Sequence, residues 1–408
     1  MNIWRVPYPK FGAGPGLERC AAVAAKLGVN LGAFGARGAV VVGSNGKGST
    51  AAMCAALLRQ STERVGLFTS PHLFALNERF RIDDNDIGDD ELGGHWERVR
   101  AAIGACGFEK TIGGFEFLFL IAADWFAARA CEHTIWEAGI GGRLDPVRLI
   151  GARNVALTAL DFEHTALLGD TLEQIALEKI AAAPEGARLA VSEGAAPPGS
   201  EVRAQIERYC TAHSIEAVFR APLAGDAPLA GVFQQQNAAL ALELATALAP
   251  LSSEQVNRGF ASVRWPGRLE TIDDDPLVVI DVGHTPDGVS SALEGFIALR
   301  GERRAVLVCG VSQDKDAEAI IARLAPAFTE IICVAAQHKG APAAMIAAHA
   351  QSANSSAEIT LAESVADARR LALAKARGGA VYVAGGLFLA AEFKALHLGR
   401  DPATLVFF

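Results

Sequence analysis

The stretch V-V-G-S-N-G-K-G-S-T (residues 41–50) places a glycine-rich turn directly after an apolar run. The run covers residues 38–42, and small or apolar residues follow over 51–58, so the order is buried strand, turn and helix. Glycines let several N–H groups and the helix N-terminus converge on an anion. The spacing is shorter than G-x-x-x-x-G-K-[ST], because the motif reads G-S-N-G-K-G-S. The stretch predicts a phosphate-binding loop for a nucleoside triphosphate.

The side chains of this loop suit phosphate and a divalent metal ion. Lys47 supplies a positive charge for the terminal phosphates, and Ser49 supplies a hydroxyl ligand for Mg²⁺. A glycine-rich turn without a ligand is the alternative, and it leaves the lysine and the hydroxyl unexplained. The expected nucleotide-binding residues of the loop are Gly43, Asn45, Gly46, Lys47, Gly48, Ser49 and Thr50.

Composition limits the size and class of the protein. A chain of 408 residues exceeds one usual hydrophobic core, so two domains are expected. Hydrophobic residues make up 51% of the chain and there are 41 glycines, which favours close-packed α/β layers and argues against disorder. The seven cysteines are scattered and form no C-x-x-C pair, which predicts buried thiols in a reducing compartment.

Charge and hydropathy argue against binding to nucleic acid or membranes, and the expected protein is a monomer in the cytoplasm. The net charge of −9 disfavours wrapping by nucleic acid and binding to anionic membrane surfaces. The first residues lack the apolar segment of a signal peptide. The most apolar window, residues 115–128, contains Glu116 and Asp124 and is too short to span a bilayer.

Strands alternate with helices after the loop, which predicts a mostly parallel sheet covered on both faces. Ligands of such sheets bind beyond the carboxyl ends of the strands. Lys47, Ser70, Glu137 and His164 all follow predicted strands, and we therefore expect one shared site. An acidic loop is predicted over 83–90, and helices are predicted over about 91–105, 115–131, 171–181 and 236–248.

The alternation restarts after a predicted hinge at 265–275. Short apolar strands are expected at 277–281, 305–309, 331–335 and 381–384, with helices at 317–328 and 365–376. The predicted fold class is α/β, with a P-loop-containing, mostly parallel sheet domain and a smaller Rossmann-like C-terminal α/β domain. The expected boundaries are 1–268 for the ATP-binding domain and 269–408 for the C-terminal domain.

Nine segments of the chain resemble, in the correct order, the Mur ligase superfamily, and most closely folylpolyglutamate synthase and dihydrofolate synthase. They are G-S-N-G-K-G-S-T (43–50), T-S-P-H-L (69–73) with E-R (78–79), E-A-G-I-G-G-R-L-D (137–145), E-H-T-A-L-L-G-D-T (163–171), I-A-L-E-K (175–179), Q-Q-Q-N-A-A-L-A-L (234–242), W-P-G-R-L-E (265–270), D-V-G-H-T-P-D-G (281–288) and D-K-D (314–316). Any one of them alone would be weak.

The resemblance implies an enzyme that joins a carboxylic acid to an amino acid at the expense of ATP, with Mg²⁺ as the metal ion. The carboxylate of the first substrate attacks the γ-phosphate to give an acyl phosphate and ADP, and an amine then displaces phosphate. The protein itself needs to form few covalent bonds in such a reaction, so the rate acceleration comes mainly from positioning the substrates and neutralising charge. The implied partners are small molecules: the acid, which a folate would supply, and the amine of an amino acid such as glutamate.

By the same resemblance, Ser49, Ser70, Glu137 and His164 are magnesium ligands. Lys179 corresponds to a lysine that becomes carbamylated in this family. Each assignment has a structural alternative: a satisfied carboxylate for Glu137, a packed histidine for His164, and a solvated helix lysine for Lys179.

The resemblance also assigns residues that meet the nucleotide from other segments. Asn237 and Arg268 match nucleotide-contacting positions, and Arg268 is expected to reach the γ-phosphate. Asp281 matches a residue at the ribose end, and His284 and Lys315 match positions near the nucleotide and the amine. The implied catalytic set is Lys47, His164, Lys179 and Arg268.

The match departs from the family pattern at several places, and three of them adjoin or lie in candidate site motifs. Glu163 stands where the family has aspartate, Phe233 where it has histidine, and Thr285 where it has asparagine. Phe117 and Phe119 lie near the expected first-substrate pocket, although such residues usually belong to the core. Three hypotheses stay open from the sequence: a folate–glutamate ligase, a ligase for a different acid in specialised metabolism, and a catalytically silent nucleotide-binding partner protein.

Overall fold

The computed structural model describes residues 4–62 and 64–407, which fall into two compact units. The first unit runs to Pro228 and also includes Gln234–Arg264. The second consists of Leu229–Phe233 and Trp265–Phe407. The boundary expected between 268 and 269 stays a prediction, and the sequence reasoning did not anticipate that Leu229–Phe233 groups with the second unit.

The first unit is built on an eight-stranded sheet, in the order β4-β3-β2-β5-β1-β6-β7-β8. The strands are β1 (Gly38–Val42), β2 (Val65–Phe68), β3 (Phe80–Ile82), β4 (Asn85–Asp86), β5 (His133–Glu137), β6 (Asn154–Leu157), β7 (Arg188–Ser192) and β8 (Glu216–Arg220). In this spatial order, the neighbouring strands from β2 to β8 run parallel. Strand β3 pairs antiparallel with both β2 and β4. Every residue of β1 is buried, as its continuous apolar run predicts.

Helices of this unit cover the sheet and connect its parallel strands. They are α1 (Leu17–Leu27), α2 (Lys47–Leu58), α3 (Asp89–Ala105), α4 (Gly114–Ala128), α5 (Thr165–Leu168), α6 (Leu172–Ile180), α7 (Glu201–Ala212), α8 (Gln234–Leu248) and α9 (Ser253–Ser262). Phe117 and Phe119 on α4 are fully buried in the hydrophobic core, and the Phe119 ring lies 5.4 Å from that of Trp136. These two phenylalanines are core residues.

The prediction of one acidic loop over 83–90 is wrong. Asp83 has a φ of 52° and its carboxylate accepts the Val65 N–H at 2.9 Å, so the chain turns back into β4 there. Asp89 and Asp90 instead form the first turn of α3, where negative side chains are favourable. The helix predicted over 115–131 ends earlier, at Ala128, and α1, α7 and α9 were not predicted.

The second unit contains a six-stranded sheet in the order β13-β12-β11-β14-β10-β9. Its strands are β9 (Glu270–Asp274), β10 (Leu277–Ile280), β11 (Ala305–Cys309), β12 (Glu330–Cys333), β13 (Glu358–Leu361) and β14 (Ala380–Ala384). Its helices are α10 (Pro286–Arg300), α11 (Ala317–Leu324), α12 (Ala343–Ala353), α13 (Val365–Ala376) and α14 (Leu387–His397).

All neighbours in this second sheet are parallel except β9, which pairs antiparallel with β10. The α/β class predicted for both domains is confirmed. Part of the hinge predicted at 265–275 differs from the prediction, because residues 270–274 form the edge strand β9. The seven cysteines form no disulfide, and six of them are buried. Within the described ranges, no helix is both long enough and apolar enough to cross a lipid bilayer.

Candidate active site

Four adjacent parallel strands, β2, β5, β1 and β6, form the centre of the first sheet. Because their carboxyl ends meet at one edge, the segments that follow them also meet there. These segments are the loop 43–46, the turn that begins at Thr69, the glycine-rich turn after Glu137, and the loop 158–164. The structure thus brings Lys47, Ser70, Glu137 and His164 to the same edge of the sheet.

The loop 43–46 is fastened to the loop after β6. The Ser44 N–H donates to the Ala159 carbonyl at 2.7 Å, and the Thr158 hydroxyl donates to the Asn45 carbonyl at 2.6 Å. The Lys47 ammonium donates to the Gly43 carbonyl at 2.8 Å and to the Ser44 carbonyl at 3.2 Å. The lysine side chain therefore folds back onto the carbonyl groups of the loop; its phosphate-binding role stays a prediction.

Helix α8 packs against α2 and places two amide side chains beside the loop. Asn237 donates to the Gln234 side-chain oxygen at 2.8 Å, and the Gln234 amide lies 3.4 Å from the Ser49 hydroxyl. Gly46 has a φ of +85°, and a Cβ added there would lie 2.4 Å from the Asn237 oxygen. Gln234 is fully buried, and the sequence reasoning assigned it no role. Gln234 lies three residues before Asn237, on the same face of the helix, and this spacing is the signal in the sequence that could have identified it.

Glu137 ends β5 and is 4% exposed. One of its carboxylate oxygens, Oε2, accepts the Ser70 N–H at 2.8 Å, which fixes the turn after β2 against β5. Burial lowers the pKa of the nearby Arg79 to about 10, an effect that the charges of Glu137 and Glu78 oppose. Arg79 in turn donates to His72 Nδ1 at 2.9 Å. Glu137 is thus a buried carboxylate held in a fixed orientation.

A second carboxylate, Glu78, shapes the turn that contains Ser70. It accepts the N–H groups of Leu73, Phe74 and Ala75 at 2.7–2.8 Å. Three charge-assisted hydrogen bonds hold this segment in one conformation. Glu78 therefore has a structural role that its place in the quoted motif did not specify.

Lys179 on α6 is 1% exposed, so the alternative of a solvated helix lysine is wrong. Its Nζ donates to Glu163 at 2.6 Å and to the Gly43 carbonyl at 3.0 Å. Burial lowers the pKa of Lys179 to about 8, and the charge of Lys47 lowers it too, against the opposing effect of Glu163. For Glu163 burial acts to raise the pKa, but Lys47 and Lys179 hold it at about 2. The acidic side chain that departs from the family pattern is therefore ionised and bound to the lysine.

The glycine-rich turn after Glu137 is held by Asp145 and lies against α6. Asp145 accepts the N–H groups of Gly139 at 2.8 Å and Ile140 at 3.1 Å. Burial raises the pKa of Asp145 to about 6, although these bonds oppose the shift. A Cβ on Gly142 would lie 2.1 Å from the Lys179 carbonyl oxygen, so only glycine permits this approach. The turn links the position of Glu137 to that of Lys179.

His164 precedes α5 with a φ of 46°, which is unusual for a residue other than glycine. The left-handed conformation occurs directly after Glu163, the partner of Lys179. Asp161, three residues before His164, donates its N–H to the Ser44 hydroxyl at 3.1 Å. The loop that contains His164 is therefore fastened to both the phosphate-binding loop and α6.

The side chains at this edge match the ligands of Mg²⁺. In residues 4–62 and 64–407, no three His, Cys, Asp or Glu side chains are grouped in a metal-binding geometry. A magnesium site completed by phosphate oxygens and water needs only one or two protein carboxylates. The Glu137 carboxylate and the hydroxyls of Ser49 and Ser70 are hard oxygen ligands of the required kind.

The second unit contains Arg268, Asp281 and His284. Asp281 follows β10 and is 3% exposed; it accepts the Gly283 N–H at 2.7 Å and the Leu269 N–H at 3.0 Å. Burial raises the pKa of Asp281, while the charge of Arg268 opposes the shift. Thr285 stands where the family has asparagine. Its hydroxyl accepts the Gly288 N–H at 3.2 Å and caps the N-terminus of α10.

Comparison with known proteins gives the same family over nearly the whole chain. A family model described as the Mur ligase glutamate ligase domain matches residues 267–387. The folylpolyglutamate synthase of Lacticaseibacillus casei is 30% identical over 388 residues, covering 88% of this chain and 89% of that protein.

Solved structures are similar over most of their length as well. Mycobacterium tuberculosis folylpolyglutamate synthase complexed with ADP superposes with a TM-score of 0.87 at 25% identity, covering 96% of each chain. The bifunctional folylpolyglutamate synthase/dihydrofolate synthase of Yersinia pestis, complexed with AMPPNP and a Mn ion, has a TM-score of 0.82 at 26% identity. That match covers 97% of this chain and 95% of the other. The resemblance seen in the nine segments is confirmed, and the chain belongs to the folylpolyglutamate synthase family of ATP-dependent ligases, within the Mur ligase superfamily.

Proposed function

We propose that the protein joins glutamate to a folate at the expense of ATP, through an acyl phosphate, with release of ADP and phosphate. One observation carries the proposal: a phosphate-binding loop, a buried carboxylate and a buried lysine meet at one sheet edge. They do so in a chain that is 30% identical to a folylpolyglutamate synthase over 89% of that protein. The hypotheses of a different acid and of a silent partner protein are not favoured by these relatives.

In the proposed reaction, Lys47 and the amides of the loop bind the β- and γ-phosphates. Ser49, Ser70, Glu137 and His164 hold Mg²⁺, which, when bound, neutralises charge on the phosphates. Asn237, Arg268, Asp281 and His284 contact the nucleotide. This chain thereby orients the folate carboxylate toward the γ-phosphate and holds the amine for attack on the acyl phosphate.

Two states of Lys179 are compatible with its surroundings. As an ammonium group it neutralises Glu163; as a carbamate it would be an anion able to hold magnesium. Carbamate formation requires a neutral amine, whose nitrogen bonds to the carbon of CO₂ and loses a proton. Burial favours the neutral amine, and the lowered pKa of Lys179, about 8, is in that direction. The carbamate stays a prediction.

The proposed partners are the small-molecule acid and amine, and we infer that the chain acts as a monomer in the cytoplasm without nucleic acid or membrane. The net charge of −9 supports the part of this inference that concerns nucleic acid and anionic membranes. Size-exclusion chromatography with light scattering measures the oligomeric state directly.

The proposal is tested by measuring phosphate release from ATP and Mg²⁺ with pairs of acids and amines, followed by mass analysis of the products. We expect phosphate release only when a folate and glutamate are both present, and a product longer by one glutamate. Reactions without the amine are the control, because a kinase would still form a phosphorylated product there. Activity with another acid but with no folate would contradict the proposed substrate.

Gly46→Ala is expected to weaken ATP binding by at least about tenfold, because an alanine strains the left-handed backbone by roughly 1–2 kcal/mol and its Cβ collides with Asn237. Isothermal calorimetry measures the affinity. Gly94→Ala on α3 is the matched control, because a Cβ there meets nothing within 4 Å. Equal ATP affinities for Gly46→Ala and wild type would contradict the assigned loop.

A further inference from the structure

The turn W-P-G-R-L-E (265–270) has an unusual backbone conformation at Leu269, the residue that follows Arg268. Leu269 has a φ of 44°, a left-handed conformation that is unfavourable for a residue other than glycine. Its side chain is only 3% exposed and belongs to the hydrophobic core of the second unit. Surrounding contacts must therefore hold this turn in place.

Two carboxylates hold the N–H groups on either side of Arg268. Asp281 accepts the N–H of Leu269, the following residue, at 3.0 Å. Glu270 accepts the N–H of Gly267, the preceding residue, at 2.8 Å. The backbone that carries Arg268 is thus fixed at both of its neighbours.

Lys394 on α14 completes the second of these contacts. Its Nζ donates to both carboxylate oxygens of Glu270, at 2.6 and 2.8 Å, and the residue is 8% exposed. An ammonium group that binds both oxygens fixes the carboxylate plane, and so the direction in which Glu270 accepts the Gly267 N–H. Loss of Lys394 would leave the Glu270 carboxylate, which is 26% exposed, without this partner.

The same helix makes a second ionic contact with β9 that does not touch the turn. His397, three residues after Lys394, lies 3.7 Å from Asp273. Both pairs join α14 to β9, but only the Lys394 pair continues to the N–H beside Arg268. The His397–Asp273 pair is therefore a control for a merely structural role of the contacts between α14 and β9.

We propose that Lys394 is a positioning residue that acts through Glu270 to hold Arg268 in its nucleotide-binding orientation. This inference rests on the proposed function, in which Arg268 contacts the γ-phosphate. A positively charged guanidinium gives its full stabilisation only when its backbone is fixed before the phosphate arrives.

The test measures the affinities of the full-length protein for AMPPNP and ADP with Mg²⁺ by calorimetry. Lys394→Met is expected to weaken AMPPNP binding by about tenfold, the typical value of a charge-assisted hydrogen bond, and to change ADP binding by less than about twofold. Glu270→Gln is expected to act in the same direction. Lys394→Arg is expected to restore most of the affinity, and His397→Gln to leave both affinities unchanged.

The decisive comparison adds Lys394→Met to an Arg268→Ala protein. If Lys394 acts through Arg268, the second change has no further effect on AMPPNP binding. Additive losses, or equal losses for AMPPNP and ADP, would overturn the positioning role. Should Lys394→Met fail to fold, the same comparison is made with Glu270→Gln.

The two levels of the proposal fail differently in this experiment. An Arg268→Ala protein that binds AMPPNP as wild type does would remove Arg268 from the proposed site, and the positioning role with it. If Arg268→Ala weakens AMPPNP binding but Lys394→Met and Glu270→Gln do not, the positioning role alone would be overturned. Absence of folate–glutamate ligation by wild type would contradict the proposed function, while the binding comparison still reports on Lys394.

Discussion

Lys179→Ala is expected to lower the turnover of folate–glutamate ligation by at least about 100-fold, while ATP affinity stays within about threefold of wild type. Lys179 is 1% exposed and its Nζ contacts both Glu163 and the Gly43 carbonyl, so truncation removes a buried group from the centre of the proposed site. We expect ATP binding to survive because, in the proposed site, Lys47 and the loop amides contact the phosphates independently of Lys179. Phosphate release under saturating substrates measures turnover, and calorimetry measures ATP affinity.

The same variant tests the carbamate. Truncation to alanine leaves space where a short carboxylate such as acetate can bind, so partial recovery of turnover on adding it is expected if Lys179 functions as an anion. Recovery by short amines instead would indicate that the ammonium form is the active one. Full activity of Lys179→Ala without any addition would remove Lys179 from the site.

Two controls separate this effect from a loss of folding. Removing one partner of a buried ion pair costs roughly 3–5 kcal/mol, so the thermal stability of Lys179→Ala must be measured beside its activity. Lys26→Ala, on the exposed face of α1, replaces a solvated helix lysine and is expected to leave turnover unchanged.

Glu137→Gln is expected to lower turnover by about 100- to 1,000-fold and to raise the Mg²⁺ concentration needed for half-maximal activity. The substitution keeps the shape of the side chain, and its remaining carbonyl oxygen can still accept the Ser70 N–H, now 2.8 Å from Oε2. What it removes is the negative charge that the proposed metal site requires. Initial rates over a Mg²⁺ titration give both quantities.

Glu243→Gln is the matched control for this change. Glu243 on α8 is a largely buried carboxylate that binds Arg188 at 2.8 Å and Arg220 at 2.6 Å, and it has no contact with the proposed metal ligands. We expect this variant to lose stability but to keep its turnover and its Mg²⁺ dependence. A Glu137→Gln protein with nearly normal turnover would exclude Glu137 as a metal ligand.

Local patterns were sufficient for the central part of the fold. The apolar run, the glycine-rich turn and the following helix were predicted in order, and the structure confirms them as β1, the loop 43–46 and α2. Helix ends were less well predicted, as at Ala128, because the last turn depends on contacts outside the helix. The sequence does not predict the edge strand β9, because its acidic residues give no apolar alternation, whereas the structure stabilises it by the ladder with β10.

The sequence by itself determined the phosphate-binding loop, the α/β class and the family, since these depend on residues that are close together or in a fixed order. Only the tertiary structure decided that Lys179 is buried against Gly43, 136 positions earlier, and that Lys394 reaches Glu270, 124 positions earlier. Burial and charge pairing are set by how strands and helices pack, because a side chain's solvent exposure and partners come mostly from distant segments. The family resemblance therefore named the lysine, and packing alone showed which carboxylate holds it.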